Sequence, residues 1–79
     1  MRDRLRELIG EVLGLPTAEV PPDASPEVLA DWDSLRHLEL MLAIEMEFDV
    51  QISADAMSEL LSLDAIEQHL LARPVAASE

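Results

Sequence analysis

Apolar side chains at Leu5, Leu8, Ile9 and Val12 recur at i, i+3, i+4 and i+7, the stripe of an amphipathic helix over residues 3–13. Gly14 and Pro16 stop it, the glycine suited to a left-handed C-terminal position. Gly10 lies inside this helix, where it costs about 1 kcal/mol relative to alanine, and the pattern gives no reason for it. Residues 16–33 hold Pro16, Pro21, Pro22 and Pro26 and read as a long connection. Such a loop in a small domain signals function or tethering. A short helical turn fits within it: Ser25 caps, Pro26 takes the first position, and Val28 and Leu29 point inward.

A second helix is predicted from Ser34 to Phe48 with Asp33 as its N-cap. Leu40, Met41, Ile44 and Phe48 form its core stripe and His37 lies one turn earlier, while Leu35, Leu42 and Met46 face outward at least in part. "DVQIS", residues 49–53, is an extended turn with Val50 and Ile52 inward. Ser53 caps a short helix over 54–60. Ser62 caps the last one, over 63–72, with Leu63, Ile66 and Leu70 on one face and Pro74 beyond its end. The expected fold is therefore all-α, a small four-helix bundle of three longer helices and one short one. The long first loop permits a crossover. One domain spans residues 1–73, and 74–79 form a flexible tail.

Composition narrows what such a bundle does. At 49% hydrophobic the chain can pack a core, and one Trp, one Phe and no Tyr make that core aliphatic. A chain of 79 residues builds a single core and leaves little room for a deep cleft. No cysteine is present, which excludes a disulfide framework and a thiolate metal site and fits a cytoplasmic protein. "MRDRLRELIG" lacks the apolar run of a secretory leader, and "LMLAI", residues 40–44, is too short to insert into a membrane. Seventeen acids face five arginines, giving a net charge of −12, and three of those arginines are Arg2, Arg4 and Arg6. Such a surface repels nucleic acid and anionic lipid and attracts proteins with basic patches.

Ser34, in "DWDSLRHLEL", is the residue that invites chemistry. As a nucleophile it would need a base and an oxyanion hole, but Trp32 and Arg36 occupy the glycine positions of the G-x-S-x-G elbow. His37 shares its helix face without a third member. Asp31 and Asp33 do not start a calcium loop, because Leu35, Arg36 and Leu42 stand where ligand, glycine and glutamate belong. His37 and His69 have no paired spacing for a metal. No catalytic or metal-ligating residue is therefore assigned. Ser34 remains either a plain helix-start residue or an accessible hydroxyl at a helix N-terminus, where backbone dipoles favour a phosphate.

"DSLRHLELMLAIEMEFDVQIS" closely resembles the acyl carrier proteins, whose hallmark is D-S-L at the start of the second helix. The order and spacing of the first helix, the proline-bearing loop and the "DAIEQHL" ending match as well. The resemblance implies a four-helix bundle of acyl-carrier type. It implies that Ser34 receives 4′-phosphopantetheine from coenzyme A through a separate phosphopantetheinyl transferase, Asp33 and Leu35 completing the signature. The chain would then be a monomeric, non-enzymatic carrier. The arm's thiol would hold acyl groups as thioesters and present them to loading and synthase enzymes with basic patches, in fatty acid, polyketide or another specialised biosynthesis. Glu39, Leu42 and Glu45 match the positions that partners read with Arg or Lys around a small apolar contact. Arg36 and Met46 stand where the family often has acids, and Asp31 and Trp32 replace the usual G-x before D-S-L. These departures mark Trp32, Arg36 and Met46 as candidates for recognition by a dedicated partner. An aminoacyl or peptidyl carrier, or an unmodified acidic helical adaptor, is the alternative.

Overall fold

The computed structural model describes residues 1–72, which form four α-helices: α1 Arg2–Leu13, α2 Ser34–Phe48, α3 Ala54–Glu59 and α4 Leu63–Ala72. No strand occurs among the described residues. The all-α bundle with one short helix is the architecture the pattern predicts. The expected tail at 74–79, and Pro74 with it, lie outside the described residues.

Side-chain caps fix the starts of three helices. Asp33 Oδ1 accepts from the Arg36 amide at 2.9 Å, Ser53 Oγ from Ala56 at 3.1 Å and Ser62 Oγ from Ala65 at 2.9 Å. Gly14 ends α1 with φ 76°, and its amide donates to the Gly10 carbonyl. The Leu15 amide shares that carbonyl at 2.8 Å. The chain thus folds back over Gly10, and a Cβ there would stand 2.6 Å from the Leu15 carbonyl oxygen. This close approach is the reason for the glycine that helical periodicity does not supply.

The core gathers Leu5, Leu8, Ile9 and Leu13 of α1, Leu40, Met41 and Ile44 of α2, and Leu63, Ile66 and Leu70 of α4. Leu13 takes the inward place expected of Val12, which is half-buried. Phe48, expected in the core, is also half-buried: it sits at the last turn of α2 and packs against the core from its edge. The long loop supplies core as well: Val20, Ala24 and Trp32 are buried. The core is therefore not purely aliphatic. The loop holds a 3₁₀ turn at Thr17–Glu19, and a single hydrogen-bonded turn follows Ser25 as expected. There the Ser25 carbonyl, and not its side chain, accepts from the Val28 and Leu29 amides. Leu29 packs inward and Val28 is exposed.

Three arginines of α1 bind the elements together. Arg2 reaches Glu67 and Asp64 of α4 at 2.6 and 2.9 Å and the Pro22 carbonyl at 3.0 Å. Arg4 forms a two-pronged pair with Glu47 of α2, both contacts at 2.9 Å. Arg6 donates to the Val20 and Thr17 carbonyls of the loop at 2.8 and 3.3 Å. The Leu63 amide donates to the Ala24 carbonyl at 2.9 Å, tying the loop to the start of α4.

Two predictions test this frame. Gly10→Ala gains helix propensity but drives a methyl against a backbone carbonyl. The variant should lose about 1–2 kcal/mol and several degrees of thermal midpoint, read by circular dichroism. A more stable variant would show that the chain can open at Leu15 without loss. The second concerns acid. Hydrogen bonds from Arg4 hold the Glu47 carboxyl below its ordinary range, and charge attraction adds to them. The stability this gives is complete above the ordinary carboxylate range and disappears as pH falls through the lowered folded value. Glu47→Gln should therefore be less stable than wild type at neutral pH, and the difference should vanish in acid. A pH series of thermal melts reads this directly.

Candidate functional site

Ser34 opens α2 and is exposed. Its neighbour Asp33 provides the side-chain cap, which leaves the serine hydroxyl free of that duty. By helix geometry the amides of Ser34 and Leu35 have no intrahelical acceptor, so an anion at this serine would meet open N–H groups and the positive end of the helix dipole.

What holds Ser34 in place lies to either side of it in sequence. Trp32 is only 2% exposed, and its indole Nε1–H donates to His37 Nδ1 at 3.0 Å. The two rings stack with centroids 6.0 Å apart. His37 Nε2 lies 2.7 Å from the Met57 carbonyl oxygen of α3. An indole can only donate, so Nδ1 is the acceptor and the proton sits on Nε2, which donates to Met57. Both ring nitrogens are thus engaged. His37 is not available as a base for Ser34, and the pair that a hydrolase would need is not formed.

Trp32, expected at a partner contact, has its side chain in the core. A loop residue has no periodicity to announce its direction, which is why the sequence misplaces it. Glu45 is tied into the fold as well. It is half-buried, and its Oε2 accepts from the Ile52 amide at 2.7 Å while its carbonyl accepts from Asp49 and Val50. It organises the turn from α2 into α3. Glu39 is exposed beside Arg36, whose Nη1 lies 3.4 Å from Glu39 Oε1 and 3.5 Å from the Val12 carbonyl of α1.

Leu35, Leu42 and Met46 are exposed as expected, and Leu38 joins them. Sequence reasoning missed Leu38, although its spacing from Leu35 and Leu42 was visible. One inward stripe accounts for the packing of α2, and a second apolar stripe on the same helix draws no attention until burial is known.

Residues 3–70 match the family model described as the phosphopantetheine attachment site. The chain is 39% identical over 64 residues to the acyl carrier protein of Acidothermus cellulolyticus, a match covering 80% of this chain and 76% of that protein. It is 34% identical over 68 residues to the acyl carrier protein of Thermobifida fusca, covering 86% of each. It is 33% identical over 72 residues to polyketide-8 synthase acyl carrier protein 2 of Streptomyces avermitilis, covering 91% and 83%.

The indole–imidazole bridge carries its own prediction. His37→Ala strips Trp32 Nε1–H and the Met57 carbonyl of their partner, so it should lower stability by about 1–3 kcal/mol. Urea unfolding followed by the fluorescence of the single tryptophan measures this, and the native emission should shift to the red. Trp32→Phe keeps a ring in the core and should lose less; because it removes the only tryptophan, its unfolding is followed by circular dichroism. Equal midpoints for wild type and His37→Ala would show that the bridge contributes nothing.

Proposed function

The chain belongs to the acyl carrier proteins, the family of the phosphopantetheine attachment site, and we propose that Ser34 is where it bears its 4′-phosphopantetheine. The observation that carries this reading is an exposed serine at the first position of α2 whose capping role is taken by Asp33. The donor set fits the group: a free hydroxyl for the ester, and the open amides of Ser34 and Leu35 facing a phosphodiester. When bound, the arm supplies the thiol that holds acyl groups as thioesters, a group this cysteine-free chain does not contain.

The protein's own residues do the positioning. Trp32 and His37 tether the segment before and after the serine, Asp33 starts the helix, and α2 presents an outward face with Leu35, Arg36, Glu39, Leu42 and Met46. Catalysis belongs to the partners. These are a phosphopantetheinyl transferase that uses coenzyme A, a loading enzyme, and synthase or transferase enzymes that take the thioester onward. The likeness to a carrier named for a polyketide synthase, beside others named simply as acyl carriers, supports a fatty or polyketide-type acyl group. No helix among the described residues is long and apolar enough to cross a membrane.

Incubation with coenzyme A and a broad-specificity transferase, followed by intact mass, tests the assignment. Wild type should gain one arm. Ser34→Ala should gain none while its circular dichroism stays that of the wild type, because the cap at Asp33 remains. Uptake by the alanine variant would move the attachment elsewhere. A wild-type chain that no competent transferase modifies would favour the unmodified adaptor.

A further inference from the structure

His37 serves two partners with one ring proton. Its Nδ1 accepts from the Trp32 indole at 3.0 Å, and its Nε2 donates to the Met57 carbonyl at 2.7 Å. This division of roles exists only in the neutral ring. A second proton goes to Nδ1, and the imidazolium is then a donor at both nitrogens. The Trp32 N–H, which can only donate, would face another N–H. Trp32 is buried, where a donor left without an acceptor is costly. The bond to Met57 asks for a donor and persists in both forms. The proton therefore acts on one side of the bridge: α3 stays attached, and the end of the loop is released.

The ring is half-buried, so a proton from water can reach it. The charged groups on the elements around it are Asp31 and Asp33 at the loop end, Arg36 and Glu39 on α2, and Asp55 and Glu59 on α3. Asp33 accepts from the Arg36 amide, and Glu39 lies beside the Arg36 guanidinium. Among the described residues no carboxylate forms an ion pair with the His37 ring. The ring also belongs to the first turn of α2, at the positive end of the helix dipole. An imidazolium formed here thus gains no pairing that would offset the indole bond it loses.

From this geometry we propose that His37 is a positioning residue for the loading of Ser34, and that protonation of its ring switches this role off. The neutral ring fixes both flanks of the serine. The imidazolium frees Trp32 and with it the segment that leads into Ser34. The serine hydroxyl keeps its chemistry and loses its fixed position. The inference rests on the carrier reading above and adds a regulation of the same site. The reagent is a proton from water, taken up at Nδ1 and returned as the pH rises.

The experiment follows the full chain from about pH 8 down to about pH 5, across the ordinary range of imidazole. The single tryptophan gives one indole N–H resonance and one emission band. In wild type both should change together as the pH falls: the N–H exchanges with water, the emission moves to the red, and circular dichroism keeps its helical form. His37→Gln offers a carbonyl oxygen to Trp32 and an amide N–H to Met57 and has no proton to gain, so both signals should stay fixed. His69→Gln, at the other histidine, should behave as wild type. Loading by a broad-specificity phosphopantetheinyl transferase with coenzyme A is read by intact mass at each pH. Dividing the wild-type kcat/KM by that of His37→Gln removes the transferase's own pH dependence. The ratio should be near unity at the alkaline end and fall by about fivefold or more at the acid end, because efficiency scales with the competent fraction. His37→Ala should load poorly throughout, and its ratio to His37→Gln should not change with pH. A wild-type ratio that is flat with pH overturns the positioning role. Indole signals that stay fixed in wild type, or move equally in His37→Gln, overturn the switch. Helix lost in step with the indole signals marks general acid unfolding and overturns it too. A wild type that loads at no pH sinks the carrier reading and the loading role with it, while the indole signals still decide whether a proton on His37 releases Trp32.

Discussion

Everything about the serine's position depends on one hydrogen-bonded bridge. Trp32 donates to His37, and His37 donates to the Met57 carbonyl. A buried indole N–H needs a partner, and an imidazole in its neutral form has one acceptor and one donor to offer. The bridge satisfies all three groups and joins the end of the long loop, the first turn of α2 and α3. Ser34 lies between Trp32 and His37 in sequence, so both sides of it are held while its own side chain faces water. The conformational freedom of a long loop is removed in the same way upstream, where Val20 and Ala24 are buried and Arg6 and Arg2 take loop carbonyls.

The arginines impose a second constraint. In a chain of net charge −12, three of five cations sit on α1 and point into the joints of the fold. A single surface ion pair contributes little, but a two-pronged arginine–carboxylate pair between helices fixes an orientation. The acids they bind, Glu47, Asp64 and Glu67, are withdrawn from the field a partner senses. Formal charge is therefore a poor map of the recognition surface. Counting acids on α2 gives Glu39, Glu45 and Glu47, whereas the structure turns Glu45 to the Ile52 amide, binds Glu47 to Arg4 and sets Glu39 beside Arg36.

This separates what the sequence could disclose from what it could not. The four helices were legible because each has a periodic stripe and a local stop or start: Asp33, Ser53 and Ser62 as caps and Gly14 as a left-handed end. Ser34 stands out in the sequence because its neighbourhood carries a family signature. The errors share one cause, contact across the chain. Gly10 answers to the Leu15 carbonyl packed over it. Trp32 is a loop residue buried in the core and hydrogen-bonded to His37 of α2. Glu45 looks like an outward acid until the Ile52 amide arrives at its side chain. Phe48 has the spacing of a core residue and packs against the core's edge, half-buried at the last turn of α2. Local rules govern elements, and these four residues answer to tertiary neighbours.

A carrier must be seized and released by several enzymes in turn, which sets a demand on its surface that stability alone does not. Tight contact would trap it, and weak contact without steering would make each encounter slow. Dispersed negative charge addresses the second problem, because a long-range field raises association rates with basic partners and fades with salt. The outer face of α2 carries Leu35, Leu38, Leu42 and Met46 in one narrow exposed row. It adds short-range contact confined to one helix face, well below the area of a permanent interface. The two functions can vary independently only if the charges lie beside the row and not within it. Arg36 against Glu39, Glu45 turned into the α2–α3 corner and Glu47 held by Arg4 produce that separation. The hydrogen bonds that fold α2 against its neighbours thereby also determine how its outer face is read.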